Sequence, residues 1–170
     1  LGGSLELLLS PMVRSADYHK QEVIMSEFIS GITTAFNDEF RHYTSNRGID
    51  SHTQIALEFN IKDNLTDVAR KANWEYIPKG KMSDFDNYEL VCDETVKPDW
   101  WDDASDNILK HAKSALRRRV LTKDQTITEG EWLVIGDTKL NLTVEGGYVW
   151  SYDNSTITID KVEGGYVWSY

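Results

Sequence analysis

The feature that most constrains this chain is a nonapeptide, VEGGYVWSY, that occurs twice without change, at 144–152 and at 162–170. A related segment, EGEWLV at 129–134, precedes both copies and shares their pattern of Glu-Gly-x-aromatic-aliphatic-apolar. Equivalent glycines stand 16 and 18 residues apart, at Gly130, Gly146 and Gly164. Periods of this length are typical of repeated supersecondary units. Residues 123–170 are therefore predicted to form a β-repeat module, with units near 126–141, 142–159 and 160–170.

Short β-prone runs within each unit alternate with turn signals such as Gly136-Asp137 and Asp153-Asn154. Two architectures fit this pattern. Turns of two or three residues favour β-hairpins, and hence an antiparallel meander of about six strands. The alternative is a β-solenoid with one coil per unit, in which equivalent side chains of neighbouring coils stack.

Side-chain alternation along a strand places three aromatic residues of each copy on one face. These six residues are the candidate binding residues: Tyr148, Trp150, Tyr152, Tyr166, Trp168 and Tyr170. A monomer rarely exposes so large an apolar patch. We therefore expect this face to be covered by N-terminal helices, by another chain or by a ligand.

Residues 1–122 are predicted to form an α+β body of N-terminal helices with a small sheet. Apolar residues at steps of about four, from Ile24 to Tyr43, predict a long amphipathic helix over about 16–44. Alternation over 55–61 predicts a strand, and Asn64 begins a second predicted helix that ends at Pro78. A further strand is expected over Tyr88–Cys92, and a third helix after Pro98.

The formal net charge of −10 argues against a general nucleic-acid binder and against an anionic membrane surface. One basic cluster stands out near the end of the third predicted helix and forms a candidate patch for an acidic partner: Lys110, Lys113, Arg117, Arg118 and Arg119. The single cysteine, Cys92, excludes an intrachain disulfide. The sequence contains neither a signal-peptide pattern nor an apolar run long enough to span a bilayer, so we expect a soluble protein.

The segment TEGEWLVI at 128–135 resembles the Gly-Glu-Trp hairpin of the phage fibritin trimerisation domain. The resemblance implies a fibre-like or virion-type structural protein and assigns no residue a role.

The sequence is interpreted as that of a non-catalytic structural or interaction protein, a virion or surface-appendage component, whose aromatic β-repeat mediates homo-oligomer assembly or partner binding. One alternative is a glycan-binding module that uses the Tyr and Trp side chains. A second is a metal-dependent hydrolase or nuclease, based on Asp99 with the Asp137-Thr138-Lys139 triplet. Neither a cofactor nor a resident metal is expected.

Overall fold

The computed structural model describes residues 29–36, 39–45, 51–62 and 71–169. The first part of the chain supplies four strands and two helices. Their bounds are β1 (Ile29–Phe36), β2 (Glu39–Tyr43), α1 (His52–Glu58), β3 (Lys71–Pro78), β4 (Tyr88–Cys92) and α2 (Trp101–Arg119). The strands form sheet A, which is antiparallel throughout in the order β2-β1-β3-β4.

Sheet A is covered on one face by α2, against which Trp74 and Tyr76 of β3 are completely buried. The Trp74 ring crosses β1 at Gly31, where an added Cβ atom would overlap three atoms of the ring. The indole Nε1 donates a hydrogen bond to Thr33 Oγ1 at 3.0 Å. Glycine at position 31 therefore lets the Trp74 ring pack closely against the backbone of β1.

The opposite face of sheet A carries Ile32, Asn73 and Glu75, because side chains alternate along each strand. Helix α1 contacts β1, and its Ile55 is completely buried, as is Ile32. Ser51 caps α1 by accepting a hydrogen bond from Gln54 N. Both faces of β1 and β3 are thus buried, which positions polar side chains of β3 beneath a short helix.

The predicted helix over about 16–44 is wrong wherever the structure describes it, because β1 and β2 occupy 29–36 and 39–43. Residues 16–28 lie outside the described ranges. The strand predicted over 55–61 is also wrong, since α1 covers most of it. The helix predicted from Asn64 to Pro78 fails over its second half, which is β3, and its first half lies outside the described residues.

Two predicted elements of the body are confirmed. Strand β4 has the predicted bounds, Tyr88–Cys92, and α2 follows Pro98 as expected. Asp102 and Asp103 lie in the first turn of α2 and three arginines in its last turn, an order that suits the helix dipole. The sub-domain boundary near residue 122 stays a prediction.

The chain after α2 forms six short strands. They are β5 (Gln125–Ile127), β6 (Glu131–Val134), β7 (Lys139–Val144), β8 (Tyr148–Ser151), β9 (Thr156–Val162) and β10 (Tyr166–Ser169). Successive strands alternate between two parallel sheets. Sheet B has the order β10-β8-β6, and sheet C has the order β5-β7-β9. Each unit of the repeat thus gives one strand to each sheet and lies on the preceding unit.

This pairing corrects the predicted antiparallel meander, because each strand bonds to its counterpart one unit away and not to its neighbour in sequence. The C-terminal module is two separate three-stranded parallel sheets, and not an extended β-solenoid. The Gly-Glu-Trp segment likewise forms no hairpin, since β6 pairs in parallel with β8. Turns at positive φ, including Gly130 and Gly147, connect strands of different sheets.

Two hydrophobic cores hold these layers. The first lies between sheet A and α2, and it also includes Leu133, Ile135 and Tyr152 from the module. The second lies between sheets B and C and is built mainly from aliphatic side chains, among them Val134, Leu142, Val144 and Val149. The module is therefore packed against the body at its first unit and has a core of its own.

Candidate functional site

The aromatic residues of the two identical copies form two columns on the outer face of sheet B. One column runs from Glu131 through Tyr148 to Tyr166, and the other from Leu133 through Trp150 to Trp168. The rings of the two tyrosines stack with centroids 5.5 Å apart, and those of the two tryptophans with centroids 6.0 Å apart. These spacings are typical of offset stacking, in which each ring covers part of a face of the next.

Backbone packing at the turns sets this alignment. Gly147 has φ of +78°, and a Cβ atom there would lie 2.5 Å from Gly130 O in the unit below. Tyr148 N donates to Gly130 O at 2.7 Å, and Tyr166 N donates to Gly147 O at 2.9 Å. The counterpart of Gly130 in the next unit is therefore Gly147, and not Gly146 as the sequence pattern predicted. Only glycine permits both the left-handed conformation and this approach, so the units stack in register.

The columns become more exposed with distance from the body. In the tryptophan column, Leu133 is 4% exposed in the first core, Trp150 is partly buried against that core, and Trp168 is 49% exposed. In the tyrosine column, Tyr148 is 42% and Tyr166 is 58% exposed. The body thus covers the first unit and leaves the outer face of the last unit open.

The structure brings four of the six predicted binding residues together: Tyr148, Trp150, Tyr166 and Trp168. Tyr152 shares their sequence pattern but is buried in the first core and belongs to the scaffold. Tyr170 lies outside the described residues. The predicted common face therefore holds within β8 and β10, and Tyr152, which follows β8, is covered by the body.

The inner side of the last unit is also incompletely covered. Val149 of β8 is completely buried between the sheets, whereas Val167, its counterpart in β10, is only partly buried. Ile157 and Ile159 of β9 are partly buried, and Val162 is 54% exposed. The sequence reasoning did not single out these aliphatic residues, although the repeat itself equates Val167 with Val149.

The two ends of the module differ. At the body end, Leu121 N donates to Leu133 O at 2.7 Å, and Val120 bridges to Leu133, so the segment after α2 covers β6. Burial raises the pKa of Glu131 there, and the charge of Arg119 acts in the opposite direction. At the far end, β9 and β10 are the outer strands of their sheets in the described part of the chain.

The predicted basic patch is partly retained. Lys110, Lys113, Arg117 and Arg118 line one shallow depression along α2, and Lys113 lies 3.8 Å from Asp86. Arg119 is 7% exposed and does not belong to that surface. The assignment of an acidic partner to this patch stays a prediction.

A partly buried polar network, missed in the sequence, lies between sheet A and α2. Thr33 Oγ1 is 3.0 Å from His42 Nδ1 and accepts from Trp74, while Thr44 Oγ1 is 3.2 Å from His111 Nε2. Burial lowers the pKa of His42 and, with the charges of His42 and Arg118, lowers the pKa of His111 to about 4. Both imidazoles are therefore neutral at neutral pH, and they act as hydrogen-bond partners of Thr33 and Thr44 beside the first core.

Comparison with models of protein families, with curated proteins and with solved structures gave no match. Within the described ranges, neither helix has the length and apolar composition needed to cross a lipid bilayer. The open last unit of the module is the candidate functional site, because three kinds of surface coincide there: an outer strand edge, an aromatic outer face and an aliphatic inner face.

Proposed function

We propose that this protein is a non-catalytic interaction protein that assembles with a second copy of itself through β9 and β10. The observation that carries the proposal is the open last unit. Its outer strands, the exposed Tyr166 and Trp168, and the partly buried Val167 all lie on one end of the module. Association would remove these apolar groups from water at once.

The edge itself supports assembly. Natural proteins usually protect an outer strand with a proline, a lysine or an inward-pointing charge. The Tyr166–Ser169 strand has none of these, whereas β9 is free of them only over Thr156–Ile159 and carries Asp160 and Lys161 in its second half. Among the described residues, β9 and β10 each pair on one side only, and both belong to the same unit, so their outer edges lie at the same end of the module. A partner that pairs with one strand is therefore placed to pair with the other.

A second copy of the chain is the occupant that fits best. The nonapeptide already packs on an identical nonapeptide, with stacked rings outside and valines inside. Head-to-tail stacking of chains through sheet B is blocked, because Val120 and Leu121 cover β6 at the opposite end of that sheet. Two open ends must then meet about a two-fold axis, which makes the strand pairing between chains antiparallel.

The experiment compares the full chain with two variants that carry the same substitution. Val167→Lys places a charge on the inner face of the last unit, whereas Val96→Lys places it on a loop of the body where Val96 is 73% exposed. Sedimentation velocity and light scattering over roughly 1–100 µM measure the mass of each. We expect a concentration-dependent dimer for the wild type and for Val96→Lys, and a monomer for Val167→Lys.

A wild-type chain that is monomeric over the whole range contradicts the proposal. So does a Val167→Lys variant that dimerises as strongly as the wild type. Circular dichroism of each variant checks that the lysine has not unfolded the module.

The glycan-binding alternative stays a prediction, and it would use the same surface. Sugars stack on open aromatic faces, and Tyr148 already covers one face of Tyr166. The virion or surface-appendage role and the hydrolase or nuclease alternative also stay predictions. The acidic residues that the last of these requires, Asp99 and Asp137, do not belong to the cluster of potential metal ligands found among the described residues, which is formed by His52, Glu75 and Asp93.

A further inference from the structure

Three potential metal ligands meet on the face of sheet A that α1 covers. They are His52 of α1, Glu75 of β3, and Asp93, which directly follows β4. One ligand atom from each lies within 4.8 Å of the other two. We propose that these three side chains bind a divalent metal ion, with Zn²⁺ as the best match, and that the ion fastens α1 to sheet A.

The hydrogen bonding of His52 fixes which ring nitrogen is offered. Nε2 lies 3.2 Å from the Trp74 carbonyl oxygen. A carbonyl can only accept, so Nε2 carries the hydrogen and donates it. In the neutral imidazole, Nδ1 then presents a lone pair, and it faces Asp93 Oδ2 at 3.5 Å. A backbone carbonyl that orients the second nitrogen is the usual outer-shell partner of a metal-binding histidine.

The distance between His52 Nδ1 and Asp93 Oδ2 suits a shared metal ion better than a direct hydrogen bond. Two ligands held at Zn²⁺ distances of about 2.0–2.1 Å in a tetrahedron lie about 3.3 Å apart, close to the 3.5 Å between His52 Nδ1 and Asp93 Oδ2. The remaining pairs of ligand atoms, all within 4.8 Å, need to close by at most about 1.5 Å. Side-chain rotation supplies such a change without moving the backbone.

The site is also partly removed from water. Glu75 is 6% exposed, so an ion bound to its carboxylate would be largely shielded from water and held more strongly than at the surface. Asn73 stands two residues before Glu75 and therefore on the same face of β3. Its buried Oδ1 atom meets no hydrogen-bond donor among the residues that the structure describes. A cation bound here would contact the Glu75 carboxylate and would give Asn73 Oδ1 a partner.

The ligand set indicates which ion. One imidazole nitrogen and two carboxylates form a three-ligand site whose fourth position is filled by water, an arrangement common for Zn²⁺. Ca²⁺ and Mg²⁺ prefer six or more oxygen ligands. We therefore expect neither of them to replace Zn²⁺ here.

The test uses the full chain after dialysis against a chelator. Isothermal titration with ZnCl₂ is carried out on the wild type, on Asp93→Asn and on His52→Gln. Asp102→Asn is the matched control, because Asp102 is an exposed carboxylate on α2 that pairs with Lys97. The Asp93 side chain is 52% exposed, so Asp93→Asn is expected to fold, which circular dichroism verifies.

We expect one Zn²⁺ per chain in the wild type and in Asp102→Asn, and at least a tenfold weaker affinity in the other two variants. Zinc should raise the thermal midpoint of the wild type, and it should leave that of His52→Gln unchanged. Wild-type protein that binds no zinc overturns the proposal. An affinity in Asp93→Asn and His52→Gln equal to that of the wild type also overturns it, since the ion would then lie elsewhere. Tighter binding of Ca²⁺ or Mg²⁺ than of Zn²⁺ would overturn the choice of metal.

Discussion

The identical nonapeptides permit the same substitution to be made twice in the same local sequence. Val149 and Val167 have the same neighbours in the chain, yet Val149 is completely buried and Val167 only partly. We predict that Val149→Ala lowers the free energy of unfolding much more than Val167→Ala. Local propensity cancels between the two variants, so the difference measures position in the stack alone.

The magnitude follows from burial. Replacing valine by alanine removes two carbon atoms, worth about 0.8 kcal/mol each when buried. A cavity of about 40 Å³ left at the completely buried position adds about 1 kcal/mol. The expected loss is therefore about 2–3 kcal/mol for Val149. At Val167 the space opens toward solvent, and the loss is about 0.5–1 kcal/mol.

Urea denaturation followed by far-ultraviolet circular dichroism measures both values, at a protein concentration at which the chain is monomeric. With a slope of about 2 kcal/mol per molar urea, the two midpoints should differ by about 1 M. Equal losses would refute the reasoning, because they would mean that the last unit is as well covered as the middle one. A larger loss at Val167 would reverse the assigned order of exposure.

Two further predictions concern the body. Gly31→Ala should lower the free energy of unfolding by about 2–4 kcal/mol, because the new methyl group displaces the buried Trp74 ring and breaks its hydrogen bond. In a Trp74→Leu background the same substitution should lower the free energy of unfolding only slightly. Gly80→Ala is the control, because a methyl group at position 80 meets only the flexible Asn87 side chain. The second prediction concerns pH. Because the pKa of His111 falls from 6.5 to about 4 on folding, protons bind the unfolded chain more tightly than the folded one. This histidine therefore leaves stability unaffected above about pH 6.5 and lowers it as the pH falls toward 4. If the whole pKa shift of His111 acted on stability, the loss would be about 3 kcal/mol, and for a half-buried ring it becomes about 1–2 kcal/mol. Urea denaturation at about pH 7 and about pH 4.5 measures this loss. Equal free energies of unfolding at the two pH values contradict the prediction.

The C-terminal strands and turns could be predicted from the sequence, but their pairing could not. Turns such as Gly136-Asp137 and Asp153-Asn154 have backbone conformations that hairpins also use. Local sequence specifies that the chain reverses there, and it does not specify whether the next strand joins the same sheet. That choice depends on contacts between residues one unit apart, as between Tyr148 and Tyr166.

The errors in the body arise from strands buried on both faces. In β1, Ile29 packs toward α2 and Ile32 toward α1, so buried residues do not alternate with exposed ones. A run of this kind resembles a helical stripe when it is judged by spacing alone. In α1 a helix was mistaken for a strand, because Leu57 fits an alternating apolar pattern although it is 76% exposed. The cap at Ser51 was the signal for a helix.

The candidate site was half predictable. Alternation along β8 and β10 identified four aromatic residues that do share a face. Their coverage depends on where α2 lies, which no local pattern contains. The His52, Glu75 and Asp93 cluster comes from three separate elements whose spacing, 23 and 18 residues, matches no short motif. Such a site is found only when the topology of sheet A is known.

The stacking of identical segments has a consequence for how such a module changes in length. Removal of residues 144–161 would bring 162–170 directly after Thr143, and the sequence would then read the same as the chain through Tyr152. The strand next to β6 would keep its residues, its rings and its glycines. Units can therefore be gained or lost by duplication or deletion while the exposed end keeps one composition. The length of the module and the composition of its outermost strand are thus free to evolve independently.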